Sequence, residues 1–312
     1  MRIEWPTLLL AVFCYVLWFA TAFWPGHLPP LLAVPLLALA MVLHASLSHE
    51  TIHGHPFAQP RWNGALMSLP IGLLVPYGRF RDTHLAHHRD ADLTDPYDDP
   101  ESNYLDPAVW AGLPVWTKRL LLVNNTLAGR ILLGPVIGQA AFMAGDLRAI
   151  RAGERGILRE WLWHGLGVAG ILLAVALWGT VPLWAYLAAA YLAAGVLKIR
   201  TFLEHQAHDR ARGRTAIVED RGPLAFLFLN NNLHVVHHMH PRVPWYRLPE
   251  LYRAQQARFR AVNDNYVYRS YGEVFARHLL RRKDPVAHPL RAARAMDQGA
   301  ARATGQGEAL RP

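Results

Sequence analysis

The chain has one cysteine, Cys14, in 312 residues. That excludes an internal disulfide framework, a cysteine-ligated zinc ribbon, a Cys-x-x-Cys redox pair and a cysteine-held iron–sulfur cluster. Charge is also scarce. Charged residues make up 18% and hydrophobic residues 52%, against about a quarter charged in ordinary globular domains. Disorder and coiled coil are poor readings of such a chain. No repeat of fixed period is present. The mean hydropathy of +0.08 is an average over segregated stretches, some almost free of charge and others dense in Arg and His.

The uncharged stretches are long. Residues 6–24 carry no charge, enough to cross a bilayer core as a helix. A turn follows at Pro25-Gly26, and residues 28–47 form a second uncharged run that stops just before His49-Glu50. The two read as a helical hairpin. A cleaved signal peptide is a poorer reading of the first run, because its single Arg2 is balanced by Glu4 and no small-residue cleavage site precedes the second run. Residues 161–178 and 181–197, joined by Gly179-Thr180, make a second hairpin. Residues 131–145 are apolar too, but the stretch is short and contains Gly134-Pro135; it reads as interfacial or half-buried. The expected fold is therefore an all-α polytopic membrane protein of two transmembrane hairpins, four spanning helices in all. Residues 1–290 read as one integral-membrane domain and residues 291–312, poor in large apolar groups, as a disordered tail.

The net charge is +9 and the pI near 10.0, and the positions of the basic residues give the reason. Arg2 precedes the first hairpin, 11 lie in residues 49–160 and 20 from Lys198 onward, with none in the hairpin turns. By the positive-inside rule the termini and the middle segment face the cytoplasm. A nucleic-acid reading would need basic residues interleaved with aromatics on a soluble face, so no nucleic-acid partner is expected.

Seventeen histidines remain to be explained, and most of those on the cytoplasmic side fall into clusters: His49-Glu-Thr-Ile-His53, His84-Leu-Ala-His87-His88, Glu204-His205 and His234-Val-Val-His237-His238. In a helix, positions i, i+3 and i+4 share a face, so each triplet is expected to aim three imidazoles at a common point. Neutral imidazole is a common ligand of iron, zinc and copper. His49, His53, His84, His87, His88, His205, His234, His237 and His238 supply nine nitrogens, more than a four-coordinate ion uses, which implies two metal ions. His44, His55, His208 and His240 lie near enough to support ligands, whereas His27, His164, His278 and His288 read as ordinary histidines. The string HETIH also fits the His-Glu-x-x-His of zinc proteases, with Glu50 as general base, but that reading leaves the other seven clustered histidines without a role. A metal transporter would need ligating or charged groups within the spans, and apart from His44 and His164 these are bare.

With these boxes, in this order relative to the hairpins, the chain resembles the membrane fatty acid desaturase superfamily of acyl desaturases, acyl hydroxylases and carotenoid ketolases. The resemblance covers residues 30–251. The strings HGHPFAQPRWNGALMSLPIGL, DTHLAHHRDADLTDPYDDPES and NNNLHVVHHMHPRVPWYRLPEL are similar to the bacterial acyl-lipid branch. It implies a cytoplasmic helical cap carrying a non-haem di-iron centre held by the nine histidines, with Glu204 and Asn230 to Asn232, Asn231 and Asn232 foremost, supporting them. Glu50 stands where many relatives have Asp and would keep the role of orienting a ligand. The implied activity is O2-dependent introduction of a double bond into a long acyl chain; hydroxylation or ketolation of an acyl or terpenoid substrate is the alternative.

Electron counting adds a partner. Reduction of O2 to water takes four electrons and desaturation draws two from the substrate. The chain has no Gly-x-Gly-x-x-Gly fingerprint, no cysteine cluster and no His-Pro-Gly-Gly of a fused cytochrome b5. A separate ferredoxin-like or cytochrome-type donor is expected, steered by groups such as Arg151, Arg155, Arg253 and Arg258; lipid headgroups are an equal claimant on these. A site under a helical bundle of bilayer length calls for a long apolar substrate. The expected location is a bacterial inner membrane.

Overall fold

A computed structural model of the chain describes residues 3–26, 28–89 and 93–291; His27 and the stretch from 292 onward, where the tail was expected, lie outside the described residues. The first hairpin is α1 (Trp5–Phe23) and α2 (Pro30–Ile52), each opened by a proline in its first turn, where the missing N–H costs nothing. Helix α2 continues past the uncharged run, so its last turn carries His49 and its cap is His53. The short α3 (Pro60–Met67) leads to α4 (Tyr77–His87), which bears the second box. Then come α5 (Pro107–Gly112), α6 (Val115–Asn124), α7 (Leu127–Arg151), and the second hairpin of α8 (Arg155–Trp178) and α9 (Leu183–Thr201).

Five of these helices, α1, α2, α7, α8 and α9, are long and apolar enough to cross a membrane. Their outward faces are apolar: Leu9, Phe13, Val16 and Phe19 on α1 and Leu162, Trp163, Leu166, Leu173 and Leu177 on α8 are all exposed. Apolar groups facing outward in such number are at home in hydrocarbon. The molecule is an all-α polytopic membrane protein.

Helix α7 departs from the expectation for residues 131–145. Those residues form the middle of one continuous 25-residue helix that runs through Pro135. Both ends of α7 meet segments near the histidines: Ala128 N–H donates to Leu279 O at 2.9 Å, and Asp146 accepts a bidentate pair from Arg79 of α4 at 2.9 and 2.8 Å. Its first half crosses the second half of α9, where a Cβ on Gly195 would lie 2.8 Å from Ile131 O. The buried face of α9 is built from Ala189, Ala190, Ala193, Ala194 and Gly195, small residues that let helix backbones approach closely.

Between α3 and α4 the chain is irregular yet inserted in the bundle. Its carbonyls cannot rely on water there and need protein donors. Three side chains from three long helices supply them: Tyr186 of α9 to Ile71 O at 2.8 Å, His164 of α8 to Leu73 O at 3.0 Å and Gln139 of α7 to Leu74 O at 2.8 Å; Tyr15 of α1 donates to Leu66 O in the last turn of α3 at 2.5 Å. The Tyr186 hydroxyl also accepts from Trp18 Nε1 at 2.9 Å.

After α9 the chain builds the cap. Strand β1 (Ile217–Val218) pairs in parallel with β2 (Val267–Tyr268), Ile217 beside Val267. Between them lie α10 (Pro223–Leu227), α11 (His234–Met239) with the third box, α12 (Leu248–Ala254) and α13 (Gln256–Val262); α14 (Tyr271–His278) follows. Ile217, Leu233, Val235, Val236, Leu248, Tyr252 and Phe259 form a small apolar core of the cap's own. It backs α11 and leaves the histidines of that helix facing the bundle.

Candidate metal centre

The nine boxed histidines converge as two groups. One comprises His49, His53, His84, His88 and His237, the other His87, His205, His234 and His238, and within each a ring nitrogen of every member lies within 4.8 Å of the others. The triplets therefore do not each aim at one point, as the shared helical face suggested. In each, i and i+4 serve one group and i+3 the other. The reason is angular: residues i+3 and i+4 are neighbours in sequence and stand about 100° apart around a helix, wide enough to address two points lying side by side.

The nitrogens are packed too closely for ordinary imidazole chemistry. Nε2 atoms face one another at 3.1 Å (His53, His84), 3.0 Å (His84, His88) and 3.2 Å (His88, His237) in the first group. The second group has 2.9 Å (His87, His205), 3.0 Å (His205, His234) and 3.1 Å (His234, His238). His84 gives its Nδ1–H to Glu101 at 2.9 Å, so its Nε2 presents a lone pair to two other imidazoles. Around an ion with metal–nitrogen bonds of about 2.1 Å, ligands at right angles stand about 3.0 Å apart. The spacing is that of nitrogens arranged around a cation. His49 adds a buried Nε2 with no hydrogen-bond partner, the kind of orphan an ion explains.

Electrostatics agrees. Burial, reinforced by the neighbouring imidazoles, lowers His53 to about 2 and holds His88, His205, His234 and His237 well below the ordinary histidine range, so these rings stay neutral. His87 is the exception: burial would lower it, but Glu101, Asp99 and Glu204 outweigh burial and lift it to about 9. Burial would raise Glu101, yet His84 and His87 hold it well below the usual carboxylate range. The surroundings call for positive charge at this point.

Three carboxylates and an amide orient the rings. Asp99 accepts from His87 Nδ1 at 2.7 Å and also from the Thr94 N–H at 2.8 Å. Asn231 Oδ1 faces His234 Nδ1 at 3.2 Å and its amide donates to Glu204 at 3.0 Å. Arg200 is ion-paired to Glu204 at 2.9 Å, and burial raises Glu204 against that pairing. Asp99, Glu101 and Arg200 were not singled out by sequence reasoning. The signal was present in the acidic run directly behind the second box and in the i, i+4 spacing of Arg200 and Glu204.

Other candidates lie elsewhere. Glu50 accepts from the Trp245 N–H at 2.8 Å and so ties α2 to the cap behind the third box. Asn232 bonds the backbone carbonyls of Val218 and Asp220 at 2.5 and 3.2 Å, and Asn230 that of Trp245 at 3.0 Å. His44 meets the Tyr15 hydroxyl at 3.1 Å, His55 pairs with Glu4, His208 with Asp264, and the His240 ring lies edge-on to Phe259. None of these four belongs to either group.

Comparison with known proteins gives this geometry a lineage. The family model described as fatty acid desaturase matches residues 25–270, a span that takes in all four histidine clusters. A beta-carotene ketolase of Paracoccus sp. (strain N81106 / MBIC 01143) is 28% identical over 257 residues, covering 77% of this chain and 86% of the ketolase. Another, from Paracoccus sp. (strain PC1), is 29% identical over 253 residues with the same coverage. A human sphingolipid delta(4)-desaturase/C4-monooxygenase is 27% identical over 215 residues, 68% of this chain and 59% of the human protein. The match across most of the chain, with the boxes inside it, means that this protein belongs to the fatty acid desaturase family.

Proposed function

We propose that the nine histidines hold two iron ions, one per group, and that the protein uses O2 to introduce a double bond into a long acyl chain. The observation that carries this reading is the division of the histidines into two adjacent all-nitrogen groups. Bound there, an iron pair would supply the power to reduce O2 and to take hydrogen from an unactivated C–H bond.

The protein's own residues prepare the site. Glu101 and Asp99 accept hydrogen bonds from the Nδ1–H groups of His84 and His87 and leave Nε2 of each facing inward as an acceptor. Asn231, steadied by Glu204, does the same for His234. The neutral rings leave the positive charge of the ions undiminished, unlike the Glu-rich sites of ferritin-like bundles; the carboxylates balance it from behind the rings. Loss of two hydrogens from the substrate supplies two of the four electrons and two of the four protons, so two electrons come from a separate ferredoxin-like or cytochrome-type donor and two protons from the solvent. The apolar bundle beneath the site suits an acyl substrate that rides in the membrane. We read residues 1–290 as one domain of a bacterial inner-membrane protein with the site on the cytoplasmic side.

A second reading is favoured by two of the relatives, both beta-carotene ketolases: oxidation of a terpenoid methylene to an alcohol or ketone. One experiment separates the two. The protein and its His237→Ala variant are expressed in a bacterial host, with and without a beta-carotene supply, and acyl chains and carotenoids are profiled by mass spectrometry. A new unsaturated acyl chain found only with the intact protein supports desaturation and gives the bond position. Oxygenated carotenoid with unchanged acyl chains replaces it with the second reading, and purified protein carrying zinc but no iron refutes both.

A further inference from the structure

The family match ends at residue 270, yet the chain beyond it returns to the histidine site. Residues 279–291 are stitched to the body by backbone bonds: Lys283 N–H to Asn125 O at 3.2 Å, Leu105 N–H to Val286 O at 2.8 Å and His288 N–H to Leu105 O at 2.8 Å. Arg291 pairs with Asp95 at 2.9 Å and Asp106 at 3.1 Å. These contacts bracket residues 95–106, the stretch that holds Asp99 and Glu101.

The same segment reaches the backbone of His205. Lys283 Nζ donates to the His205 carbonyl and lies 3.3 Å from the Tyr266 hydroxyl, which itself donates to Leu203 O at 3.0 Å. Asp284 accepts from the Tyr104 hydroxyl at 2.9 Å, and that hydroxyl accepts from the Ala207 N–H at 2.9 Å.

His205 needs such support more than its companions. Helix α9 ends at Thr201 and its cap is Phe202, so His205 stands beyond the helix, in an isolated antiparallel bridge to Thr215, whereas the other eight histidines are on helices or helix caps. His84, His87 and His234 have their Nδ1 atoms braced by polar side chains; His205 Nδ1 has no hydrogen-bond partner. With no brace behind the ring at Nδ1, its position leans on its backbone, and the backbone carbonyl is where Lys283 attaches.

We propose that residues 279–291 are a clasp that fixes the second histidine group, with Lys283 as the positioning residue for His205. The proposal rests on the reading that the two groups hold metal ions. It is tested on full-length protein in detergent, stripped of metal and titrated with Co(II), reading stoichiometry, affinity and visible absorption. The intact protein is expected to bind two Co(II). Lys283→Met should weaken one of the two by about tenfold or more, the range seen when supports behind a ligand are removed, and change that ion's absorption while the other is unaltered. Lys283→Arg, which retains a charged donor, should restore most of the affinity. Tyr104→Phe removes only a hydroxyl and should weaken the same ion to a smaller extent. Two ions bound as tightly and with unchanged spectra in Lys283→Met and Tyr104→Phe overturn the clasp; so does an equal loss at both ions, which marks general damage. If the intact protein binds fewer than two ions, the two-metal reading itself fails and the clasp falls with it.

Discussion

His88 and His238 lie face to face, ring centroids 4.2 Å apart and planes 12° from parallel. One belongs to each histidine group, so the two groups share a wall made of two stacked imidazoles. The i+3 members of the triplets, His87 and His237, reach past this wall to the opposite group.

That interleaving gives a prediction for single ligand losses. His87→Ala and His237→Ala should each reduce turnover to background, and each should remove a different ion. Metal analysis is expected to give one iron per chain in either variant and none in the double variant; wild-type iron content in either would refute the assignment. His278→Ala, whose ring meets the Tyr268 hydroxyl at 3.0 Å and belongs to neither group, should retain both ions.

Asp99 acts behind His87. Asp99→Asn keeps the shape but can turn an N–H toward His87 Nδ1, which disfavours the tautomer that bares Nε2. A 10- to 100-fold loss of metal affinity or activity is expected, roughly the usual cost of losing such a partner. The check is iron occupancy against free-iron concentration, with the helix content by circular dichroism unchanged.

Tyr186→Phe removes the hydroxyl between Trp18 Nε1 and Ile71 O and leaves both without this partner inside the bundle. A buried group so stranded costs about 1–3 kcal/mol. Thermal unfolding in detergent should show a drop of several degrees. Tyr191→Phe is the control: that side chain is 44% exposed, and its loss should cost less.

Glu219 predicts a pH dependence in the cap. Burial would raise its carboxyl, but Arg260, Tyr252 and Gln256 together hold it below the ordinary value. A carboxyl lowered in the folded state adds stability that is present above the ordinary value of 4.5 and is lost as pH falls through the folded one. Glu219→Gln should therefore destabilise the protein at pH 7, by roughly 1 kcal/mol for a partly exposed cluster of hydrogen bonds. The gap to the parent should narrow as pH falls below the ordinary carboxyl value, as followed by unfolding midpoints from pH 7 downward.

Much of this architecture could be read from residue order. The uncharged runs located α1, α2, α8 and α9, because exclusion of charge from hydrocarbon acts on every residue of a span. Helix ends were less visible: α2 continues to Ile52 because His49, Glu50 and Thr51 are buried by the cap, a tertiary effect. The length of α7 was hidden by Gly134-Pro135, a helix-breaking pair where packing is absent and a tolerated one where α9 lies against it. The nine histidines were visible as a set, but their partition was not, since it depends on how four segments distant in sequence meet. Asp99 and Glu101 escaped notice for a related reason. An acidic run in a loop resembles solvated surface until the loop folds back on the box that precedes it.

The last turn of α3 and the irregular stretch that follows it are bonded through Leu66, Ile71, Leu73 and Leu74 to α1, α9, α8 and α7. They also join the first box to the second, since α2 precedes them and α4 follows. A long helix that tilts to match a thinner or thicker bilayer must either break its bond to this stretch or pull the stretch along, and Tyr77 and α4 with it. A change of tilt in any one of these helices would therefore reach α4 and the second box by way of backbone hydrogen bonds.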